Sequence, residues 1–180
     1  MGVKATRVAL TAPFAALTAV GAYIQIPLYP VPITLQTLFV YLSGILLGGS
    51  LGALSQLLYL AMGAAGLPVF AGGRAGVGVL LGPTGGYLMA FPPASFVAGK
   101  VAEIGGDGDF RRILAGALIG TTLIYGLGVL QLTHWVNDLT AALSLGVLPF
   151  IPGDILKAVL AAYVGLKVRS SLPRIRWRKF

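Results

Sequence analysis

The run PFIPGDILKAVLAAYVGLKV carries Asp154 and Lys157 three residues apart in otherwise apolar surroundings. At that spacing both side chains leave the same face of a helix, so a carboxylate acceptor and an ammonium donor point one way. Each such charge costs on the order of 2.5–3.5 kcal/mol at the centre of a membrane helix, and less near an interface. Pro152 and Gly153 place both in the first helical turn. Two readings offset the cost. Either the pair binds a polar solute, or Asp154 caps the helix start, where free N–H groups and the positive dipole end favour a carboxylate. In the second case Lys157 pairs with it or extends outward along its alkyl stem.

A third charge stands in GLPVFAGGRAGVGVLLGPTGGYLMAF, where Arg74 sits among eight glycines. Average glycine usage near 7% predicts about two in a stretch of this length. Glycine permits close backbone approach to another group, and non-helical backbone at membrane depth survives only against protein or a cavity. Arg74 is an ordinary loop arginine if taken alone. Beside Asp154 and Lys157 it marks an outward-opening pocket for an anionic, partly apolar solute. Thr34, Gln36 and Thr37 begin a neighbouring apolar run. Thr34 or Gln36 reaches that pocket, or both serve hydrogen bonds between helices. Tyr41, Tyr59 and Tyr87 line an apolar cavity or anchor at the interface, and Asn137 and Asp138 read as loop caps.

These groups need a scaffold, and composition names its kind. The chain has 57% hydrophobic and 10% charged residues among 180, and its mean hydropathy is +0.89. Soluble domains carry roughly 25% charged residues, so this is an all-α integral membrane protein, read as a single domain over 1–180. On a ruler of about 20 residues per crossing, six spans fall near 8–27, 33–49, 51–67, 87–104, 112–133 and 151–168. The N-terminal run is too long for a signal peptide and is read as the first span. The glycine-rich stretch becomes an outer loop between the third and fourth helices, and Pro92 and Pro93 predict a kink in the fourth. HWVNDLTAALSLGVLPF is too short and apolar for a solvated loop plus a further span, so it dips into the membrane or caps the bundle.

Basic residues orient the chain. With both termini inside, Lys4, Arg7, Lys100, Arg111, Arg112 and the tail residues Lys167, Arg169, Arg174, Arg176, Arg178 and Lys179 are cytoplasmic, and Arg74 stands outside. The net charge of +8 is therefore a basic tail from about 167 to 180 held near anionic headgroups, and nucleic-acid binding is not expected. In TAPFAALTAVGAY, Ala12 and Ala16 are four apart, as are Ala15 and Ala19. Small residues at this spacing let helices approach closely in lipid. The partner is another span of this chain or a separate membrane subunit.

Several chemistries are excluded. There is no cysteine, and His134 is the only histidine, so thiolate catalysis, disulfides and a histidine-based metal cluster are not expected. There is no G-x-x-x-x-G-K-[ST] segment for ATP, and GVGVLLG lacks dinucleotide-loop spacing. Inside the spans the carboxylates are Asp154 and the inner-end Glu103, too few for a proton relay.

The runs AALTAVGAYIQIPLYPVPITLQTL, GLPVFAGGRAGVGVLLGPTGGYLMAF and PGDILKAVLAA resemble the BioY family, the biotin-specific substrate-binding components of energy-coupling factor transporters. The resemblance covers about residues 10–168. It implies a non-enzymatic, six-helix protein of the cytoplasmic membrane that captures biotin as transported ligand, with no resident cofactor. It also implies a separate energy module of a transmembrane coupling protein and two ABC-type ATPases, in keeping with the missing nucleotide motif. The family's D-x-x-K pair maps to Asp154 and Lys157, and its coupling-protein docking surface to Ala12, Ala15, Ala16 and Ala19. The glycine-rich motif, with Gly72, Gly73, Gly85, Gly86 and Tyr87, becomes lid and wall of the pocket. The resemblance assigns Arg74 no role; the chemistry of biotin makes Lys157 or Arg74 a candidate partner for its carboxylate and Asp154 an acceptor for a ureido N–H, or the reverse. The competing expectation is a solitary secondary carrier or channel for biotin or another small anionic vitamin.

Overall fold

The computed structural model describes residues 9–104 and 109–171. Lys4, Arg7 and the tail from 172 onward lie outside the described residues. Helices form near every predicted span. They are α1 (Thr11–Tyr23), α2 (Gln36–Leu47), α3 (Gly49–Ala64), α4 (Val77–Leu81), α5 (Gly85–Met89), α6 (Phe91–Ile104), α7 (Phe110–Val136), α8 (Leu139–Gly146) and α9 (Ile151–Ser171). A two-stranded hairpin, β1 (Gln25–Ile26) and β2 (Ile33–Thr34), pairs antiparallel between α1 and α2.

Most helices are shorter than the 20-residue ruler. At about 1.5 Å per residue, the 13 residues of α1 reach only about 20 Å. Among the described residues α7 alone is long and apolar enough to cross a bilayer by itself. α8 and α9, bent by 51°, together would make a second crossing. The helical runs yield to the hairpin, the glycine-rich segment and the α8 turn.

Helix α6 is central, packing on α2, α3 and α7, while α9 packs on α2 and α7, and α1 on α2 and α3. Glycine makes the tightest of these contacts. A Cβ on Gly44 of α2 would overlap the Ser95 carbonyl of α6, and one on Gly99 of α6 would overlap the backbone of Gly49. Polar side chains close the same interface. Gln56 Nε2 donates to Ser43 Oγ at 3.0 Å and to Thr18 Oγ1 at 3.2 Å, and Ser43 Oγ lies 2.9 Å from Ser95 Oγ. These side chains are buried where α1, α2, α3 and α6 meet, and they satisfy one another.

Local chemistry sets the helix ends. Asp109 caps α7, its carboxylate accepting from Arg111 N at 3.0 Å. Asn137 ends α7 in the left-handed region at φ 54°, and Asp138 starts α8 by accepting from Thr140 N at 2.8 Å, so both act as the loop caps expected of them. Glu103 accepts from Gly49 N at 3.0 Å at the start of α3.

Two expectations need correction. Pro92 and Pro93 do not kink a helix interior. The break falls at Ala90, and the prolines occupy the first turn of α6, where a missing N–H costs no hydrogen bond. Arg169 is not part of a solvated tail. α9 runs on to Ser171, and Arg169 is buried with Nη1 donating to the Ile45 carbonyl at 3.3 Å, at the end of α2. An orphan carbonyl in a helix's last turn is a ready acceptor for an arginine.

Candidate functional site

Asp154 and Lys157 lie in the first turns of α9, 3% and 7% exposed. The helix already satisfies the Asp154 backbone, whose N–H donates to the Phe150 carbonyl at 2.8 Å. Its carboxylate faces sideways into the bundle. Oδ1 accepts from Lys157 Nζ at 2.6 Å and from Thr37 Oγ1 at 3.0 Å, and Oδ2 accepts from the Tyr125 hydroxyl at 2.7 Å. Lys157 Nζ also donates to the Thr34 carbonyl at 2.8 Å. Of the two readings of Asp154, simple helix capping is thus displaced: the carboxylate ties α9 to α2 and α7. A carboxylate offers about four lone-pair directions, so these three bonds leave one acceptor site on Oδ2.

Asp154 and Lys157 line a cavity. Its polar wall is Thr34, Gln36, Thr37, Thr84 and Tyr125 with the ion pair, and its apolar wall includes Val31, Phe70, Val79, Tyr87, Leu88, Phe91, Ile124 and Phe150. Arg74 lines it too, but is exposed where Asp154 and Lys157 are buried. The cavity therefore runs from a buried ion pair to a surface guanidinium. Arg74 Nε donates to the Ala71 carbonyl at 3.0 Å, and the rest of the guanidinium has no hydrogen bond or ion pair among the described residues.

The glycine-rich segment folds over this space. Phe70 N donates to the Arg74 carbonyl at 3.0 Å, closing a loop around a 3₁₀ turn, Ala71–Gly73. Gly72 and Gly73 have φ of 73° and 71°, which only glycine adopts at little cost. Gln131 of α7 holds the other end, Nε2 donating to the carbonyls of Leu80 at 2.9 Å and Gly82 at 2.7 Å.

Seven of the residues singled out from sequence thus line one cavity: Thr34, Gln36, Thr37, Arg74, Tyr87, Asp154 and Lys157. The four glycines do not. Gly72 and Gly73 shape the turn beside it, while Gly85 and Gly86 sit behind the wall, where a Cβ would overlap the carbonyls of Leu80 and Leu127. Tyr41 and Tyr59 also stand behind the wall, fully buried. Tyr41 meets Thr121 at 2.8 Å, and Tyr59 is bonded to Gln36 at 2.6 Å. Tyr125 was not anticipated. Its signal lay in α7, where Gly116, Ala117, Gly120, Thr121 and Gly128 mark the buried stripe and Tyr125 is the polar aromatic at its edge.

The alanine stripe divides. Ala15 is fully buried and Ala19 partly so, whereas Ala12 and Ala16 are exposed. One pair serves packing within the chain and the other faces away from it. Among the described residues no three His, Asp or Glu side chains converge as a metal site requires.

Comparison with known proteins agrees with this architecture. The BioY family model matches residues 1–174. The biotin transporter BioY of Thermotoga maritima is 46% identical over 156 residues, covering 87% of this chain and 91% of that protein. The probable biotin transporter BioY of Pyrococcus horikoshii is 46% identical over 168 residues, covering 93% and 99%. A crystal structure of the S-component for biotin from an ECF-type ABC transporter superposes with a TM-score of 0.85 at 31% identity, covering 94% of this chain and 95% of that one. With a buried Asp-Lys pair on the last helix, a glycine-rich cover and near full-length similarity of sequence and fold, this chain belongs to the BioY family.

Proposed function

We propose that this chain captures biotin at the outer face of the cytoplasmic membrane and serves its uptake, as the substrate-binding component of an energy-coupling factor transporter. The observation that carries the proposal is the buried Asp154–Lys157 pair, with one carboxylate acceptor site left open, on the floor of a largely apolar cavity. Biotin matches it group by group. A ureido N–H donates to Asp154 Oδ2, the thioether ring packs among Tyr87, Phe91, Ile124 and Phe150, and Thr34 and Gln36 supply polar contacts. Lys157 is already held by Asp154 and the Thr34 carbonyl. The valerate carboxylate therefore goes to Arg74, the guanidinium with open donors. Gly72, Gly73, Gly85 and Gly86 act on the ligand through the fold of the cover.

In this reading residues 1–180 form one domain with six spans, formed around α1, α2, α3, α5 with α6, α7, and α9. Both termini are inside and the cavity opens outward. Ala12 and Ala16, the exposed half of the stripe, meet a transmembrane coupling protein that carries two ABC-type ATPases. The test begins with mass spectrometry of small molecules that co-purify with the detergent-solubilised chain, followed by calorimetry with biotin. Recovery of a different vitamin would overturn the ligand assignment. Biotin uptake into vesicles that hold this chain without partner subunits would overturn the dependence on an energy module.

A further inference from the structure

Tyr59 of α3 is not among the residues lining the cavity and is fully buried, yet its hydroxyl stands between the cavity wall and the glycine-rich cover. It donates to the Val69 carbonyl at 3.1 Å and receives Gln36 Nε2 at 2.6 Å. Gln36 Oε1 in turn accepts from Thr34 Oγ1 at 2.9 Å. A phenol has one proton. With that proton committed to Val69, Tyr59 can only accept from Gln36, so the amide must turn its NH₂ toward Tyr59 and its oxygen toward Thr34. The flipped amide would set two acceptors against each other inside the protein.

We propose that Tyr59 is a positioning residue which fixes the donor–acceptor polarity of the Gln36 amide in the cavity. Building on biotin as the ligand, this adds a cause for the site's selectivity: Gln36 presents one remaining N–H and one remaining oxygen lone pair in a set order. The ligand must supply the complementary edge, as a urea, amide or carboxylate does. The cover takes part because Val69 precedes Phe70, Ala71 and Arg74, which all line the cavity. The Tyr59 ring is held separately from its hydroxyl. It meets Phe70 edge-on at 5.6 Å and stacks on Phe91 at 6.3 Å, so Tyr59→Phe removes the proton and keeps the packing.

The experiment is a double-mutant cycle on the full chain in detergent, with biotin affinity measured by calorimetry. Tyr59→Phe should weaken binding roughly tenfold with Gln36 present, as loss of one buried hydrogen bond does. In the Gln36→Ala background the same change should matter less than about twofold, since coupled residues are non-additive. Equal losses in both backgrounds, or no loss from Tyr59→Phe, would overturn the proposal. If Tyr59→Phe does not fold, Gln36→Glu carries the test. Its acceptor-only carboxylate draws the Tyr59 proton away from Val69, and wild-type affinity in that variant would overturn the proposal. Absence of biotin binding by the wild-type chain would instead sink the functional reading and this inference with it.

Discussion

Asp154 and Lys157 meet at 2.6 Å inside the protein, but their remaining support is unequal. Asp154 keeps two hydroxyl donors, Thr37 and Tyr125, whereas Lys157 keeps only the Thr34 carbonyl. Breaking a buried pair is costly because it strands an uncompensated charge, typically by about 3–5 kcal/mol. Asp154→Asn should therefore lower the thermal unfolding midpoint in detergent more than Lys157→Ala does. Both should weaken biotin binding, and unchanged affinity in both would end their assignment to the site.

Tyr125 donates to the Asp154 oxygen that retains an open acceptor site. Tyr125→Phe keeps the ring and removes that donor, which is worth about 1.5–3 kcal/mol when the acceptor is charged. Biotin affinity should fall by about ten- to a hundredfold, and the thermal unfolding midpoint should fall as well. Calorimetry beside thermal unfolding separates the two effects.

In the proposed binding mode Arg74 meets one end of the ligand only. Arg74→Ala should weaken biotin about tenfold, the worth of one partly exposed charge-assisted pair. It should leave the uncharged methyl ester of biotin bound as by wild type. An equal loss for both ligands would place the carboxylate elsewhere.

The two alanine pairs of α1 predict opposite phenotypes. Ala15 is fully buried, so Ala15→Leu should overpack the bundle and destabilise it by about 1–3 kcal/mol. Ala16 is exposed, so Ala16→Leu should leave folding and biotin binding intact. It should lose co-purification with the coupling protein, and uptake with it. Retained assembly in Ala16→Leu would remove this face as the docking surface.

Local patterns were readable without coordinates. The i,i+3 spacing puts Asp154 and Lys157 on one face whatever surrounds them, and the caps Asn137 and Asp138 act within a few residues. The lengths of α1 and α2 were overestimated, since hydropathy marks apolar runs and does not see where a run leaves the helix, whereas α7 and α9 run past their predicted ends. Arg169 was misplaced for a related reason. Basic residues near a terminus look solvated until a partner carbonyl, here Ile45, is known.

From the sequence alone followed the membrane class, the approximate helix positions, the shared helix face of Asp154 and Lys157 and the unusual glycine-rich segment, because charge content and short-range periodicity are properties of neighbouring residues. Tertiary structure decided which groups meet. Thr37 reaches Asp154 across 117 positions and Thr34 reaches Lys157 across 123, while Tyr59 joins Gln36 to the cover. Apolar helices are interchangeable to a hydropathy scale. Their partners are chosen by shape, at contacts such as Gly44 on Ser95, and by the need of every buried polar group for an answering one.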